Sequence, residues 1–535
     1  MTFRVLVTDD VDPEGVVLLT AESELVVDEV PTLPREELLR RIPEYDAIVG
    51  RSATRISAEL LQAATRLKVV GRAGVGVDNI ALDVATSLGV AIINAPAGNT
   101  VAVAELFFGA VIGLLRQLPK AAQTMSAGGW DRASFMGREL KGKTLGIVGL
   151  GRIGSEVATR AHAFGMTVVA YDPYIADERF TTLRVRRAPT LDALIAEANI
   201  LTVHVPLTDE TRGMIGKREI SHLPARSVVV NMARGGIVDE TALLAALEGE
   251  QLRGAVLDVF TVEPPPPDHP LRHAPNLVLT PHLGANTVEA QRNVSRDVCI
   301  AVRDALLRND LSRSINVAGG SAEWGDLQGA MLVARRAAAV ARAVLADQGM
   351  RAVRRLSLRV GPDLAHGAGA LLAAAATGVL EGVIETDRLN LINARSLAEA
   401  RGLELSVGES SELGHPRAVE VALSGGMQQL AVTGAAPEGS TPRLTRIGSF
   451  HVDVNPKHTL LILTNLDVPG VIGRVGTLLG ERKVNIAEYH QARLAQGGDA
   501  LAAISVDGAV DEATRQALLE LPDVVSASIV HFRAD

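Results

Sequence analysis

Three polar residues stand where the chain could carry acid–base chemistry. Arg234 follows the apolar run Ser227–Val230 in N-M-A-R-G-G. Glu263 follows Leu257-Asp-Val-Phe in T-V-E-P-P, and His282 follows Leu277–Thr280 in P-H-L-G-A. Each lies just past a strand-like run, so all three are expected at the carboxyl edge of a parallel sheet, where such sheets bind ligands. A neutral imidazole is suited to accept a proton near pH 7. A guanidinium can clamp a carboxylate with two parallel bonds and polarise a neighbouring oxygen. A carboxylate behind the imidazole sets which ring nitrogen carries the proton. Dehydrogenation of a 2-hydroxy acid needs these three groups.

The stretch that must position them is Leu145 to Asp172. A short apolar run, Leu145–Val148, enters Gly149-Leu150-Gly151-Arg152-Ile153-Gly154, a G-x-G-x-x-G sequence. A helical pattern follows to about Phe164, with Gly165 as its stop, and Thr167–Tyr171 forms a second strand ending at Asp172. Gly149 permits the tight turn, Gly151 lets a pyrophosphate approach the backbone, and Gly154 lets helix and strand pack closely. The helix N-terminus offers N–H groups to the anion. Asp172 can accept bonds from ribose hydroxyls and would repel a 2′-phosphate by roughly 4 kcal/mol at about 4 Å and an effective dielectric near 20. The expected cofactor is NAD rather than NADP.

Residues 1–97 repeat a strand–helix rhythm, with strands at Arg4–Thr8, Leu25–Glu29, Ala47–Gly50, Lys68–Gly71 and Val90–Asn94. That reads as an open parallel α/β sheet. Two loops at its strand ends, Arg51-Ser52-Ala53-Thr54 and Gly71 to Asn79, combine arginine with small residues and free N–H groups, a cradle for carboxylate or phosphate. One helix is expected from Asn99 or Thr100 to about Leu118, crossing into the dinucleotide domain. After His282 the pattern is helical to about Arg308 and returns to the first sheet, and Ser312–Val317 reads as an extended exit. Ala-rich helices (Met331–Leu345, Gly369–Val383) and strand-like runs (Arg354–Val360, Ala418–Leu423) follow. From His458 to Phe532 the order is β-α-β-β-α-β, a ferredoxin-like module.

Composition narrows the class. At net charge -9 and with no Lys/Arg block, the chain lacks a nucleic-acid surface. Cys299 is the sole cysteine, so no disulfide forms within the chain. Strand-like Phe3–Val7 runs at once into Asp9-Asp10, without a secretory signal pattern, and a cytoplasmic location is expected. Val101–Leu115 and Gly367–Ile384 are apolar, but each carries a glutamate and falls short of about 20 uninterrupted apolar residues. No membrane partner and no metal are expected.

The motifs R-S-A-T, G-R-A-G-V-G-V-D-N, N-A-P-x-G-N-T, G-I-V-G-L-G-R-I-G, N-x-A-R-G-G-I-V-D-E, L-D-V-F-x-x-E-P and P-H-L-G-A resemble the D-2-hydroxyacid dehydrogenase family essentially end to end. The second half narrows this to long members. Asn390-Leu-Ile-Asn393-Ala-Arg and Arg401-Gly resemble their intervening domain. Asn465-Leu-Asp-Val-Pro-Gly with Val484-Asn485-Ile486-Ala487 resembles an ACT domain. The resemblance implies a Rossmann domain (98–281) inserted in a discontinuous flavodoxin-like substrate domain (1–97 and 282–317), then an α+β intervening domain (318–450) and an ACT domain (451–535). It implies oxidation of 3-phospho-D-glycerate by NAD to 3-phosphooxypyruvate, at the start of the phosphorylated route to serine. Arg234 would bind the substrate's carboxylate and C2 oxygen, Glu263 would support His282, and His282 would be the general acid/base. The cofactor would touch Arg152, Ile153, Asp172, Met232, Ala233, Arg234 and Asp258, and the loop His282, Leu283, Gly284, Ala285. Arg51, Ser52, Arg72, Gly74, Val75 and Arg132 would hold the substrate. Asp467 and Asn485 match positions that would hold an L-serine effector, and a homodimer or homotetramer is implied. Two other readings remain: a glyoxylate or hydroxypyruvate reductase of the same family, and a non-catalytic NADH or amino-acid sensor. Reductases of that kind end near the return helix, about 200 residues earlier than this chain.

Overall fold

The computed structural model describes residues 2–317, 324–350, 352–383 and 388–532. The start of the third region, expected at Ala318, lies outside them. Four sheets make up the framework. The first is five strands, β1 (Phe3–Val7), β2 (Leu25–Glu29), β3 (Ala47–Gly50), β4 (Val69–Arg72) and β5 (Ala91–Asn94), in the order β2-β1-β3-β4-β5. Every pairing is parallel. The order reverses at β1/β3, the switch-point pattern of a flavodoxin-like sheet.

The second sheet holds β6 (Thr144–Val148), β7 (Thr167–Tyr171), β8 (Arg186–Arg187), β9 (Ile200–Val203), β10 (Val228–Asn231), β11 (Gly254–Leu257) and β12 (Leu277–Leu279). Its order, β12-β11-β10-β9-β6-β7-β8, is parallel throughout and reverses at β6/β9, the Rossmann arrangement. Strands β9, β10 and β11 are buried along their whole length, which is why they read as continuous apolar runs rather than alternating ones.

The crossing helix departs from expectation. It ends at Leu115, and a second helix, Leu118–Ser126, starts at an angle of 64°. Gln117 takes a left-handed conformation at the break, and Pro119, lacking an N–H, cannot continue the first helix but fits the first turn of the next. The return helix also starts later than expected, at Val288, with the Thr287 hydroxyl capping Ala290 N–H. It lies against helix Pro13–Thr20, where Ser295 donates to the Asp12 carbonyl at 2.7 Å. A Cβ on Gly15 would fall 2.0 Å from that same hydroxyl, so glycine is required at this crossing. Ser314 then bridges to Ile93 and Asn316 takes the Ile92 N–H, tying the exit to the first sheet.

The third sheet holds β13 (Arg355–Val360), β14 (Glu404–Glu409), β15 (Ala418–Gly425), β16 (Gln428–Ala435), β17 (Arg443–Ile447) and β18 (Phe450–Val454), in the order β14-β13-β15-β16-β17-β18. Helices Trp324–Asp347 and Ala368–Leu380 pack together, their alanines allowing close approach. The second ends at Leu380 rather than Val383, where Gly382 turns the chain at φ 73°. Pro362–Leu380 is a helical stretch long and apolar enough to cross a membrane by composition, unlike the sequence reading, but 72% of it is buried inside the protein. The fourth sheet, β19 (Thr459–Leu466), β20 (Ile486–Arg493), β21 (Asp499–Val506) and β22 (Val524–His531), is antiparallel at each pairing, in the order β20-β21-β19-β22. With helices Val471–Glu481 and Glu512–Leu519 it completes a β-α-β-β-α-β unit.

Candidate active site

Strands β10, β11 and β12 are neighbours, and Arg234, Glu263 and His282 emerge from their carboxyl ends. His282 Nδ1 lies 2.7 Å from Glu263 Oε2, and Glu263 Oε1 accepts the Phe260 N–H at 3.0 Å. Burial pushes the Glu263 carboxyl up, but the bonds from His282 and Phe260 outweigh it and hold it below its ordinary range. With Nδ1 facing the carboxylate, Nε2 is left as the free acceptor of a neutral ring. His282 itself sits at φ 53°, in the left-handed region that a residue with a Cβ seldom adopts. Buried Asp258 accounts for this. It accepts from Leu283 N–H (2.7 Å), Gly284 N–H (2.8 Å) and Thr280 hydroxyl (2.6 Å), while its own carbonyl takes the His282 N–H. The turn carrying the imidazole is thus pinned before any ligand arrives.

Arg234 reaches across to the first sheet. Its Nε donates to Asp78 Oδ2 at 2.9 Å, and a Cβ on Gly76 would fall 1.9 Å from its guanidinium. Arg72, at the end of β4, lies against Gly74, where a Cβ would come within 1.4 Å of its guanidinium. Burial pushes Arg72 down to about 10, and the charges of Arg234 and Arg51 push the same way. It stays protonated at neutral pH, with its Nε buried and without a hydrogen-bond partner. Arg51 stands on a loop organised by Asp9, whose carboxylate accepts from Arg51 N–H, Thr54 N–H, and the hydroxyls of Thr54 and Thr32. Asn94 holds the loop bearing Gly74 by donating to the Val75 carbonyl at 2.5 Å. Three cations thus crowd one cleft, with Asp78 and Asp9 the acids that act on them.

The glycine loop behaves differently at each glycine. Gly149 has φ 91°, and a Cβ there would meet the His204 carbonyl at 2.7 Å. A Cβ on Gly154 would strike the Gly149 carbonyl at 2.1 Å. Gly151 faces open space at the uncapped N-terminus of helix Arg152–Ala163, the side from which a pyrophosphate would approach. Asp172 accepts the Leu150 N–H at 2.9 Å and the Tyr174 N–H at 3.0 Å, fixing its carboxylate at the end of β7. Met232, just past β10, is buried, and Ala233 and Ala285 are half-buried. These residues fit a dinucleotide.

Other expected positions are not drawn together. Arg132 is exposed on the segment after helix Leu118–Ser126 and makes no contact with Arg51, Arg72 or Arg234 among the interactions described. Ser52 is exposed. Asp467 follows β19 and binds Arg493 and the Gly497 N–H, while Asn485 precedes β20 and binds Asp507. Strands β19 and β20 both run antiparallel to β21, so the two residues lie at opposite ends of the sheet, Asp467 beside Gly498 and Asn485 beside Asp507, about 30 Å apart at ~3.3 Å per residue. Sequence reasoning missed Asp78, Asp9, Asn94 and Asp258's grip on the His282 turn. The first two lay inside stretches already singled out, but nothing local in them marks a partner.

Fold and site together define an NAD-dependent dehydrogenase of D-2-hydroxy acids. Residues 108–284 match the family model described as D-isomer specific 2-hydroxyacid dehydrogenase, NAD binding domain. The D-3-phosphoglycerate dehydrogenase of Methanocaldococcus jannaschii is 35% identical, with 99% of each chain aligned. That of Mycobacterium tuberculosis is 38% identical over 98% of each. A crystal structure of a Thermus thermophilus protein superposes with TM-score 0.53 at 33% identity, covering 57% of this chain and 96% of that one. The chain belongs to the D-3-phosphoglycerate dehydrogenase family.

Proposed function

We propose that this protein oxidises 3-phospho-D-glycerate to 3-phosphooxypyruvate with NAD, the first step of the phosphorylated route to L-serine. The observation that carries this reading is the cluster of Arg51, Arg72 and Arg234 beside the His282–Glu263 pair. The substrate has an anion at each end and a hydroxyl between them. Arg234 clamps the carboxylate and C2 oxygen with its planar fork. Arg51 and Arg72 take the phosphate, with Ser52, Gly74 and Val75 lining the loops around it and Arg132 closing from outside. His282 Nε2 accepts the hydroxyl proton as the C2–H bond breaks, and Glu263 stabilises the imidazolium that forms. NAD, when bound, supplies the acceptor for the hydride leaving C2. Gly149, Gly151, Arg152, Ile153 and Gly154 hold its pyrophosphate and Asp172 its ribose. Met232, Ala233, Asp258 and the loop His282–Ala285 shape the nicotinamide end.

The finer reading divides the chain at 97/98, 281/282, 317/318 and 450/451, with residues 451–535 as an ACT domain. The element and strand order from β19 onward support the ACT reading, while β18 (Phe450–Val454) completes the third sheet and puts the last boundary after Val454. Because Asp467 and Asn485 stand at opposite ends of one sheet, L-serine would bridge Asp467 of one copy and Asn485 of a second, which calls for a homodimer or homotetramer. A cytoplasmic location is in keeping with a chain whose sole cysteine, Cys299, leaves no disulfide to form within it. The test is absorbance of NADH with 3-phosphoglycerate and NAD, a ketoacid trap present, and D-glycerate, NADP and L-serine in parallel arms. NADH from the phosphorylated acid alone is expected, falling as serine rises. Turnover of unphosphorylated acids only would replace this reading with a reductase, and NADH binding without turnover would replace it with a sensor.

A further inference from the structure

Arg234 and Arg51 stand on different sheets' loops, yet both are tied to one segment, Arg72 to Asn79, at the end of β4. Asp78 and Asn79 are neighbours in the chain, and each holds a different arginine. Asp78 accepts from Arg234 Nε at 2.9 Å. Asn79 Nδ2 donates to the Thr54 carbonyl at 2.7 Å and to the Arg51 carbonyl at 3.2 Å. Backbone bonds lock the same two loops together. Ile56 N–H donates to the Asn79 carbonyl and Ala81 N–H to the Ile56 carbonyl, each at 2.9 Å, in a parallel bridge between Ile56 and Ile80. The middle of the segment is fixed from β5, where the Asn94 side chain takes the Val75 carbonyl and the Ala95 N–H takes that of Gly74.

Two glycines of the segment carry the guanidiniums. A Cβ on Gly74 would strike Arg72 Nη1, and a Cβ on Gly76 would strike Arg234 Nη2. These glycines are two positions apart, at most about 7 Å of chain. The spacing of Arg72 and Arg234 is therefore set by the loop backbone rather than by two independent side chains. Asp78 is costly in such a place, because a carboxylate beside an anion site repels the ligand. Its side chain is 66% exposed, so its pair with Arg234 adds little to stability. What remains for it is to aim Arg234. Resting on the reaction proposed above, we infer that Asp78 and Asn79 are positioning residues that jointly set the span between the carboxylate clamp at Arg234 and the phosphate clamp at Arg51 and Arg72. That span selects a 2-hydroxy acid whose phosphate sits on its third carbon. An acid one carbon longer carries the same two anions but overreaches the clamps.

The test compares 3-phospho-D-glycerate with 4-phospho-D-erythronate, the same 2-hydroxy acid lengthened by one carbon, on the full chain with NAD. The wild type should favour the shorter acid in kcat/KM by about 100-fold, the usual cost of a displacement near 1 Å. Asn79→Ala frees the Arg51 loop and should lower that preference about tenfold or more, mainly by raising KM for the shorter acid. Asp78→Ala frees Arg234 and should lower it as much, mainly through kcat. Asp78→Asn keeps an oxygen for Arg234 Nε and should restore most of the preference. KM for NAD should stay as in wild type in all three. Variants that melt like wild type and keep its preference overturn the inference, as does a wild type that oxidises both acids alike. A wild type that oxidises neither acid overturns the proposed reaction instead. Calorimetry of both acids on NADH-saturated wild type and Asp78→Ala then reads the preference from binding, and an unchanged ratio overturns the inference as well.

Discussion

The proposed role of His282 as the base rests on what its other nitrogen does. Glu263 occupies Nδ1, so the accepting lone pair points out of the loop on Nε2. His282→Ala should lower kcat by roughly 10² to 10⁴, the usual contribution of a placed general base, with NADH affinity nearly unchanged. Stopped-flow turnover beside NADH fluorescence titration separates the two, and near-normal turnover would remove His282 from this role. Asp9 governs the Arg51 loop in a comparable way. Burial pushes its carboxyl up, but bonds from Thr54, Arg51 and Thr32 outweigh this and hold it low. A carboxylate held low when folded stabilises the fold above its unfolded value, and the contribution drains as pH falls through the folded one. Asp9→Asn should therefore raise KM for the substrate. The gap in unfolding midpoint from wild type should persist at about pH 5 and narrow only below about pH 4.

The loops after β11 and β12 are the elements on which the chemistry hangs, and each is anchored from outside. Glu240 opens helix Glu240–Glu248 and sends one carboxylate oxygen to Thr261, taking both its N–H (2.6 Å) and its hydroxyl (2.7 Å). Its other oxygen lies 3.3 Å from His269 Nε2. Thr261 is two residues from Glu263, so the anchor sets where the carboxylate stands behind the imidazole. Glu240→Ala should cost about 1–3 kcal/mol from the unpaired Thr261 groups. It should also lower kcat about tenfold with KM for NAD unchanged, since small displacements spoil alignment. Thermal melts with steady-state kinetics check both, and a stability loss without a kcat change would make the anchor purely structural. The strand ends themselves are legible in sequence because buried parallel strands read as apolar runs. The 64° turn at Gln117 is not, because Pro119 marks where a helix must stop but not the direction in which the next one starts.

Across the whole molecule, one apolar cluster runs from the first sheet through the Ala-rich helices to the fourth sheet, joining Val302, Ala337, Leu460 and Val530. At the far end the Arg336 guanidinium lies 4.4 Å over the Phe532 ring. Glu488 clasps the third and fourth sheets, accepting from Arg443 at 3.1 Å and from the Asn455 N–H at 2.9 Å. Glu488→Ala should cost about 1 kcal/mol for the backbone bond, the arginine pair being partly exposed and worth less. It should lower the unfolding midpoint of the C-terminal half while leaving turnover without serine as in wild type, seen by calorimetry and activity on one preparation. An unchanged melt would show that the clasp is not needed.

Local pattern carries far in this chain. The glycine loop, its strand and helix, Asp172 and the placement of Arg234, Glu263 and His282 at strand ends all follow from the sequence, because they depend on backbone geometry and short-range periodicity. The tertiary structure alone decides what these side chains touch. Asp78 meets Arg234 across 156 positions, Asn390 meets Gly89 across 301, and Asp467 and Asn485, 18 positions apart, are set at opposite ends of one sheet. Such pairings arise from the packing of whole layers, and no local propensity encodes which surface one layer presents to the next.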